Sequence, residues 1–329
     1  MTARNIPARE RGAALLAVLL LVAVTGAIAA AAMESLALSR AAAANVVALD
    51  QARAYAGAVE QLAAVTVDDM IMENPNRTTL AGGWNGAVRR VALPGGGVAQ
   101  VRVRDGGNCF NVNSVVSGDP RTRLARREAG VAQLAGLMQA LRVPEGEARR
   151  IAEAAADWAD SDAVPSPGGA EDGAYGGGDS PYRTGNTLFA DVGELGALAG
   201  MTPEIMARLR PWLCALPTTE LSPLNFNTLL PEQAPLLAML APGRLDVEQA
   251  RRVLAARPAG GWGNQIEFWR IDALRGLDVP LDVQLQPQMR TRWFALDVTV
   301  AIMDAEFTES ALLDARLQPS RVVARRWGA

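Results

Sequence analysis

The sequence predicts an α+β fold, in which a long N-terminal helix packs on an antiparallel sheet and a large all-helical segment is inserted between the strands. Three observations carry this. A proline-free, largely apolar run begins at Ala13 and stays helical in character through Ala64. Alternating apolar and polar residues mark strands at 88–103 and again at 293–327. Between them, over about residues 120–288, apolar side chains recur at helical spacing, with proline, glycine or capping residues at several starts.

The N-terminus sets the compartment. Residues 1–12 carry Arg4, Arg9, Arg11 and Glu10, whereas Ala13 to Met33 hold no charge. At about 1.5 Å per residue this run makes a helix of about 31 Å, close to the hydrocarbon core of a bilayer. Arginines before such a span stay in the cytoplasm, so the rest of the chain lies outside the inner membrane, in a bacterium the periplasm. Three readings compete: an ordinary signal cut near Ala29, Ala30 and Ala32, a permanent anchor, and a leader cut ahead of the apolar helix.

After the span, Leu36, Leu38, Val46, Val47, Leu49, Tyr55, Val59 and Leu62 are scattered among alanines and continue the helix. Strands are expected at Val88 to Leu93 and Val98 to Val103 around a Pro94–Gly97 turn, and at Trp293 to Ile302, Glu306 to Asp314 and Arg321 to Trp327. Helices are expected at Leu124 to Leu141, Glu145 to Trp158, Val192 to Leu198, Pro203 to Leu213, Pro231 to Leu240, Val247 to Ala256 and Gln265 to Leu274.

Composition excludes several chemistries. There is no histidine, which removes the commonest general base and metal imidazole. Basic and acidic residues number 32 and 35, every basic one is arginine, and the net charge of −3 gives no global attraction to nucleic acid. The two cysteines, Cys109 and Cys214, are too few for a four-cysteine zinc site. In an exported chain they read as one disulfide, the alternative being two unrelated buried thiols.

The strongest chemical signal is acidic. Asp157, Asp160, Asp162, Glu171, Asp172, Asp179, Asp191 and Glu194 face a single arginine, Arg183, in a stretch with eight glycines. Converging carboxylates on a loop repel unless a cation gathers them, and hard oxygen ligands suit calcium. The spacing is not that of an EF-hand. A solvated acidic loop is the plain alternative, and a carboxylate pair for glycoside hydrolysis lacks a substrate-binding aromatic cluster beside it.

These features together resemble the K-type minor pseudopilins of bacterial type II secretion systems. Arg11-Gly12-Ala13-Ala14-Leu15-Leu16 is similar to a prepilin peptidase site, and the resemblance implies cleavage between Gly12 and Ala13 with the apolar helix retained. Most pilin-like proteins carry glutamate five residues after that cut, where it neutralises the N-terminal amine of a neighbouring subunit. Here Ala17 stands there, a mark of the K type that implies a place at the filament tip. Leu49 to Glu60 resembles the stretch after the membrane span. The echoing segments Cys109-Phe110-Asn111-Val112-Asn113-Ser114 and Pro223-Leu224-Asn225-Phe226-Asn227-Thr228 also occur in the family, with each second asparagine expected as a helix cap.

The resemblance covers the whole chain and implies a pilin-like fold carrying a large inserted helical domain. The expected division is a leader at 1–12, a transmembrane part at 13–33, pilin-like parts at 34–119 and 289–329, and the insertion at 120–288. Trp158, Asp160, Asp162, then Gly169 to Asp172, Tyr175 and Pro181 to Arg183 match the family pattern, and the resemblance implies calcium in the insertion; several of Asp160, Asp162, Glu171, Asp172 and Asp179 are the expected ligands, with Asp157, Asp191 and Glu194 in reserve. Expected partners are the I and J minor pseudopilins, the prepilin peptidase and the inner-membrane assembly platform. The implied role is non-catalytic and starts pseudopilus assembly. The competing function is a membrane-tethered module binding DNA or an exported substrate, because residues 191–204 and the second asparagine segment resemble helix-hairpin-helix elements. Glu194, Glu204 and the acidic balance disfavour phosphate binding.

Overall fold

The computed structural model describes residues 8–177 and 181–328. Helix α1 spans Ala8–Glu73, beyond the expected end at Ala64, and stops just before Pro75, whose ring disfavours helix in the preceding residue. Its apolar part is long enough to cross a membrane and is wholly exposed in the isolated chain. From Ala48 onward one stripe turns inward: Ala48, Ala52, Ala56, Val59, Ala63, Val67 and Ile71 are all buried, at steps of three or four residues.

That stripe lies on a five-stranded antiparallel sheet of β1 (Val88–Ala92), β2 (Val98–Asp105), β7 (Trp293–Ile302), β8 (Ala305–Asp314) and β9 (Arg321–Trp327), in the order β1-β2-β7-β8-β9. Period-two alternation puts Leu296, Val298, Val300 and Ile302 of β7 in the core under α1, with Trp84 against Phe294. One charged contact sits within this interface. Glu60 is completely buried and accepts two bonds from Arg325 of β9, at 2.6 and 2.7 Å. The guanidinium holds the Glu60 carboxyl below its usual range despite burial.

Between β2 and β7 the chain builds a second core. Its elements are β3 (Phe110–Asn111), β4 (Val116–Asp119), β5 (Arg123–Arg126), α2 (Glu128–Ala140), α3 (Glu145–Ala159) and α4 (Asp172–Tyr175). There follow α5 (Pro203–Leu209), β6 (Leu213–Cys214), α6 (Ala234–Ala238), α7 (Val247–Ala255), α8 (Gln265–Trp269) and α9 (Leu281–Gln284). Phe110, Val112, Val115 and Val116 belong to this core. The inserted unit therefore begins before residue 120, just after β2 ends.

Three expectations about this unit change. Residues from Leu124 do not open a helix: β4 and β5 form a hairpin, anchored where Leu124 N donates to Ser161 Oγ and Ser161 N donates to Leu124 O. Residues 192–197 make a tight 3₁₀ turn, and the segments expected to end at Leu213, Leu240 and Leu274 are shorter as helices. The asparagines also divide their work differently, since Asn111, the first of its pair, caps the turn at Val112–Val115. Gly130 of α2 rides so close to this turn that a Cβ there would lie 1.9 Å from the Ser114 carbonyl oxygen.

The two units meet beyond the C-terminal end of α1 and again on β9, where Arg326 pairs with Asp191 of the inserted unit. Thr78 N donates to Met289 O, and Asn225 Nδ2 donates to Thr78 O and to Thr291 Oγ1. Asp105, at the end of β2, accepts from the hydroxyls of Thr228 and Thr291 and from Gly107 N. Enclosure at this seam pushes its carboxyl up to about 6 against those bonds.

Candidate metal centre

Helix α3 is amphipathic, burying Ala148, Ile151, Ala152, Ala155, Trp158 and Ala159, and its last turn carries Asp157 and Asp160 into the protein. Asp160 is the C-terminal cap, with its N–H still bonded to Ala156 O. The chain then leaves the helix and returns after Gly168, so that Glu171 comes back over the same end as the residue preceding α4.

This return brings three carboxylates together. One oxygen each from Asp160, Asp162 and Glu171 lies within 4.8 Å of the others. Asp160 and Glu171 are buried and Asp162 is exposed, so the group opens to solvent on one side. Glu171 Oε2 accepts from Thr184 Oγ1 at 3.3 Å, while Glu171 Oε1 is buried with no hydrogen-bond partner among the described residues. Burial, then repulsion from Asp160, Asp157 and Asp162, pushes the Glu171 carboxyl up to about 7. Burial and Asp162 push Asp160 up to about 6.

Asp157 lies beneath and does a different job. It is completely buried and accepts from Ser166 N at 3.0 and 3.2 Å, holding the returning loop. The loop passes so close that a Cβ on Gly169 would stand 2.0 Å from Asp157 Oδ2. Its carboxyl is also raised, by burial first. Trp158, Tyr175 and Tyr182 form an aromatic wall, with ring centroids 5.2 to 6.1 Å apart.

One expected ligand, Asp172, is drawn elsewhere. Asp172 accepts from Thr184 N and Thr184 Oγ1, both at 2.9 Å, and those bonds hold its carboxyl below the usual range. Asp179 lies outside the described residues. Of the reserves, Asp191 and Glu194 form a reciprocal capping box at the 192–197 turn, and Asp191 pairs with Arg326. The amides that a helix-hairpin-helix would aim at phosphate are thus already bonded to carboxylates: Ala190 N and Asp191 N to Glu194, and Gly193 N to Asp191. Thr184 escaped the sequence reading, since it sits thirteen residues from Glu171 with no local motif around it.

The donor set fits a hard divalent cation. All three side chains offer carboxylate oxygen, two are buried, and one buried oxygen lacks a hydrogen-bond partner among the described residues. No arginine forms an ion pair with any of the three among the described residues. Arg183 instead approaches Asp172, at 3.9 Å.

The cysteines lie at the near edge of the same unit. Cys109 and Cys214 form a disulfide with Cα atoms 5.8 Å apart, beside the parallel pairing of β3 with β6. It closes a sequence separation of 105 residues. The bridge ties the segment leaving β2 to β6 of the inserted unit.

Comparisons with known proteins agree on one family. Models for type II secretion system (T2SS), protein K match residues 108–218 and 224–288. The type II secretion system protein K of Klebsiella pneumoniae is 33% identical over 323 residues, covering 97% of both chains. That of Pectobacterium carotovorum is 30% identical with the same coverage, and that of Aeromonas hydrophila is 35% identical over 84% of this chain and 86% of its own. A solved structure of the GspK-GspI-GspJ complex from the type 2 secretion system of enterotoxigenic Escherichia coli contains a chain that matches at 29% identity with a TM-score of 0.73, covering 85% of this chain and 96% of that one. The long helix, the split antiparallel sheet and the inserted unit are those of this family: the chain belongs to the type II secretion system protein K family.

Proposed function

We propose that the protein is a non-catalytic minor pseudopilin that sits at the tip of the pseudopilus and initiates its assembly. In this reading Ala13–Met33 first holds the chain in the inner membrane, with the folded part in the periplasm. The prepilin peptidase trims it after Gly12, and the assembly platform then draws it outward. The observation that carries the proposal is where the bulk lies. The inserted unit's hydrogen-bonded seam with the pilin-like part lies beyond the C-terminal end of α1, at Thr78, Met289 and Thr291, with a side contact from Asp191 to Arg326 of β9, all away from the apolar span. A subunit stacked further along the filament axis would collide with it, whereas subunits below would not.

Ala17 points the same way. Without a carboxylate there, this helix offers nothing to neutralise a buried N-terminal amine from a subunit above, and an unpaired charge in an apolar bundle costs several kcal/mol. The GspK-GspI-GspJ complex supports the I and J minor pseudopilins as partners below. Co-expression with both, followed by pull-down and immunogold labelling, tests the assignment. The expected result is one label at one filament end and recovery of both partners. Labels along the shaft would refute it.

We also propose that Asp160, Asp162 and Glu171 hold calcium as a structural clamp. The ion would neutralise three carboxylates that otherwise repel, and would fasten the 163–171 loop to the end of α3. Glu171 Oε1, buried and without a partner among the described residues, supports this most directly.

A further inference from the structure

Where the inserted unit rejoins the sheet, a cleft of about 390 Å³ opens between the loop after α1, the linker entering β7 and the segment leaving β8. Arg290, Arg292 and Arg316 line it, together with the amide side chains of Asn76, Gln265 and Gln288. Two of the guanidinium groups are held in place. Arg316 lies over the Trp293 ring, 4.6 Å from its centroid, and donates to Asp314 at 2.7 to 3.1 Å. Arg292 reaches Glu220 at 3.3 Å in a solvent-exposed pair.

Arg290 is different. It is half-buried and its side chain makes no hydrogen bond or ion pair among the described residues. Asp314 and Glu220 therefore answer two of the three guanidinium groups and leave one positive charge facing the cleft. Exposed pairs such as Arg292–Glu220 contribute little, so an incoming carboxylate can replace Glu220 at small cost.

The amides narrow the ligand class. Gln265 Nε2 donates to the carbonyls of Leu285 and Pro287, and Gln288 Nε2 donates to those of Leu285 and Gln286. Their amino groups are consumed, which leaves the side-chain oxygens as acceptors. An acceptor beside arginine disfavours a fully ionised phosphate group, which has no O–H to donate, but it suits a peptide N–H next to a carboxylate. Planar guanidinium forks likewise match a carboxylate.

We infer that this cleft binds a carboxylate side chain presented by an acidic polypeptide segment, with Arg290 as its anchor and Arg292 as a second contact. Because the cleft is walled by both parts of the fold, an occupant would bridge the pilin-like sheet and the inserted unit. The inference stands apart from the tip assignment and from the calcium proposal.

Fluorescence anisotropy of the detergent-solubilised full chain with a labelled triglutamate peptide, at about 150 mM salt to screen diffuse attraction, tests this. Saturable binding is expected for the unaltered protein and for the distant exposed variant Arg149→Ala. Binding should be about tenfold weaker in Arg290→Ala, the loss of one charged hydrogen-bonding contact, and absent for the triglutamine peptide. Arg290→Lys, which keeps charge without the fork, should fall between them and serves if the alanine variant fails to fold by circular dichroism. Equal affinity for Arg290→Ala, or for Arg290→Lys where it stands in, overturns the inference. So does inorganic phosphate competing as well as free triglutamate.

Discussion

Asn113 grips Phe189 by both of that residue's backbone polar groups: Phe189 N donates to Asn113 Oδ1 at 2.7 Å, and Asn113 Nδ2 donates to Phe189 O at 3.0 Å. Asn227 treats Trp262 identically, at 2.8 and 3.2 Å. In each pair the first asparagine turns back to steady the second, through Asn113 N to Asn111 Oδ1 and Asn227 N to Asn225 Oδ1. The two echoing segments are one device used twice, each fastening a distant loop where no strand is available.

Removing either clamp should therefore be costly. Asn113→Ala leaves the Phe189 amide and the carbonyls of Phe189 and Leu216 buried without that partner, at about 1 to 3 kcal/mol per unsatisfied group. A loss of at least about 3 kcal/mol is expected in urea unfolding, and of at least about 2 kcal/mol for Asn227→Ala, which frees two groups. A shift below about 0.5 kcal/mol in both would show that ordered water replaces the side chain.

The disulfide gives a second measurement. A bridge closing a loop of this length contributes about 4 to 5 kcal/mol in the chain-entropy model, and measured values fall lower. Cys109→Ser with Cys214→Ser should lower stability by about 2 to 4 kcal/mol. Alkylation of the denatured, unreduced native protein should label neither cysteine. Labelling of both would remove the bridge.

The sheet and long helix were legible because their signals are periodic and local: Val98 to Val103 and Trp293 to Asp314 alternate plainly, and the α1 stripe repeats at helical spacing. The Cys109–Cys214 pairing followed from having only two cysteines in a chain expected to be exported. Contacts made at long range were not legible. Leu124 reads as the start of a helix until Ser161, 37 residues on, supplies its backbone partner. Within the acidic run, charge alone could not separate Glu171, which turns toward Asp160, from Asp172, which Thr184 draws away. Likewise no local pattern revealed Glu60, buried on α1 until Arg325 reaches it across 265 residues.

The processing site can be tested directly. Protein purified from cells that contain a prepilin peptidase should have an intact mass corresponding to a start at Ala13, and Gly12→Ala should abolish the trimming. A start near Ala31 would replace this reading with an ordinary signal peptide. A start at Met1 would leave a permanent anchor.

Calcium and protons should compete at the cluster, through the raised carboxyls of Glu171 and Asp160. Glu171 rises from 4.5 to about 7 and Asp160 from 3.8 to about 6, so without calcium the folded protein binds protons more tightly than the unfolded chain does. The stability they provide is therefore fully present below about pH 4 and is lost as pH climbs through about 6 to 7. Groups held low, such as Glu60 and Asp172, act in the reverse sense and lose their contribution only as pH falls below the usual carboxylate range. The chelated protein should accordingly show a Tm that declines between pH 5 and 8, and Glu171→Gln should flatten that decline. Added calcium binds the ionised carboxylates and should restore the Tm at pH 8, by about 2.7 kcal/mol at a hundredfold excess over its Kd, but should do little at pH 5 where protons compete. Magnesium should substitute poorly, because an open carboxylate loop suits its strict octahedral geometry less well. Terbium, as a calcium substitute, should luminesce on excitation of Trp158 and Tyr175 beside the site, and Glu171→Gln should quench that signal. A Tm at pH 8 indifferent to calcium and chelator alike would reduce the cluster to a solvated acidic loop.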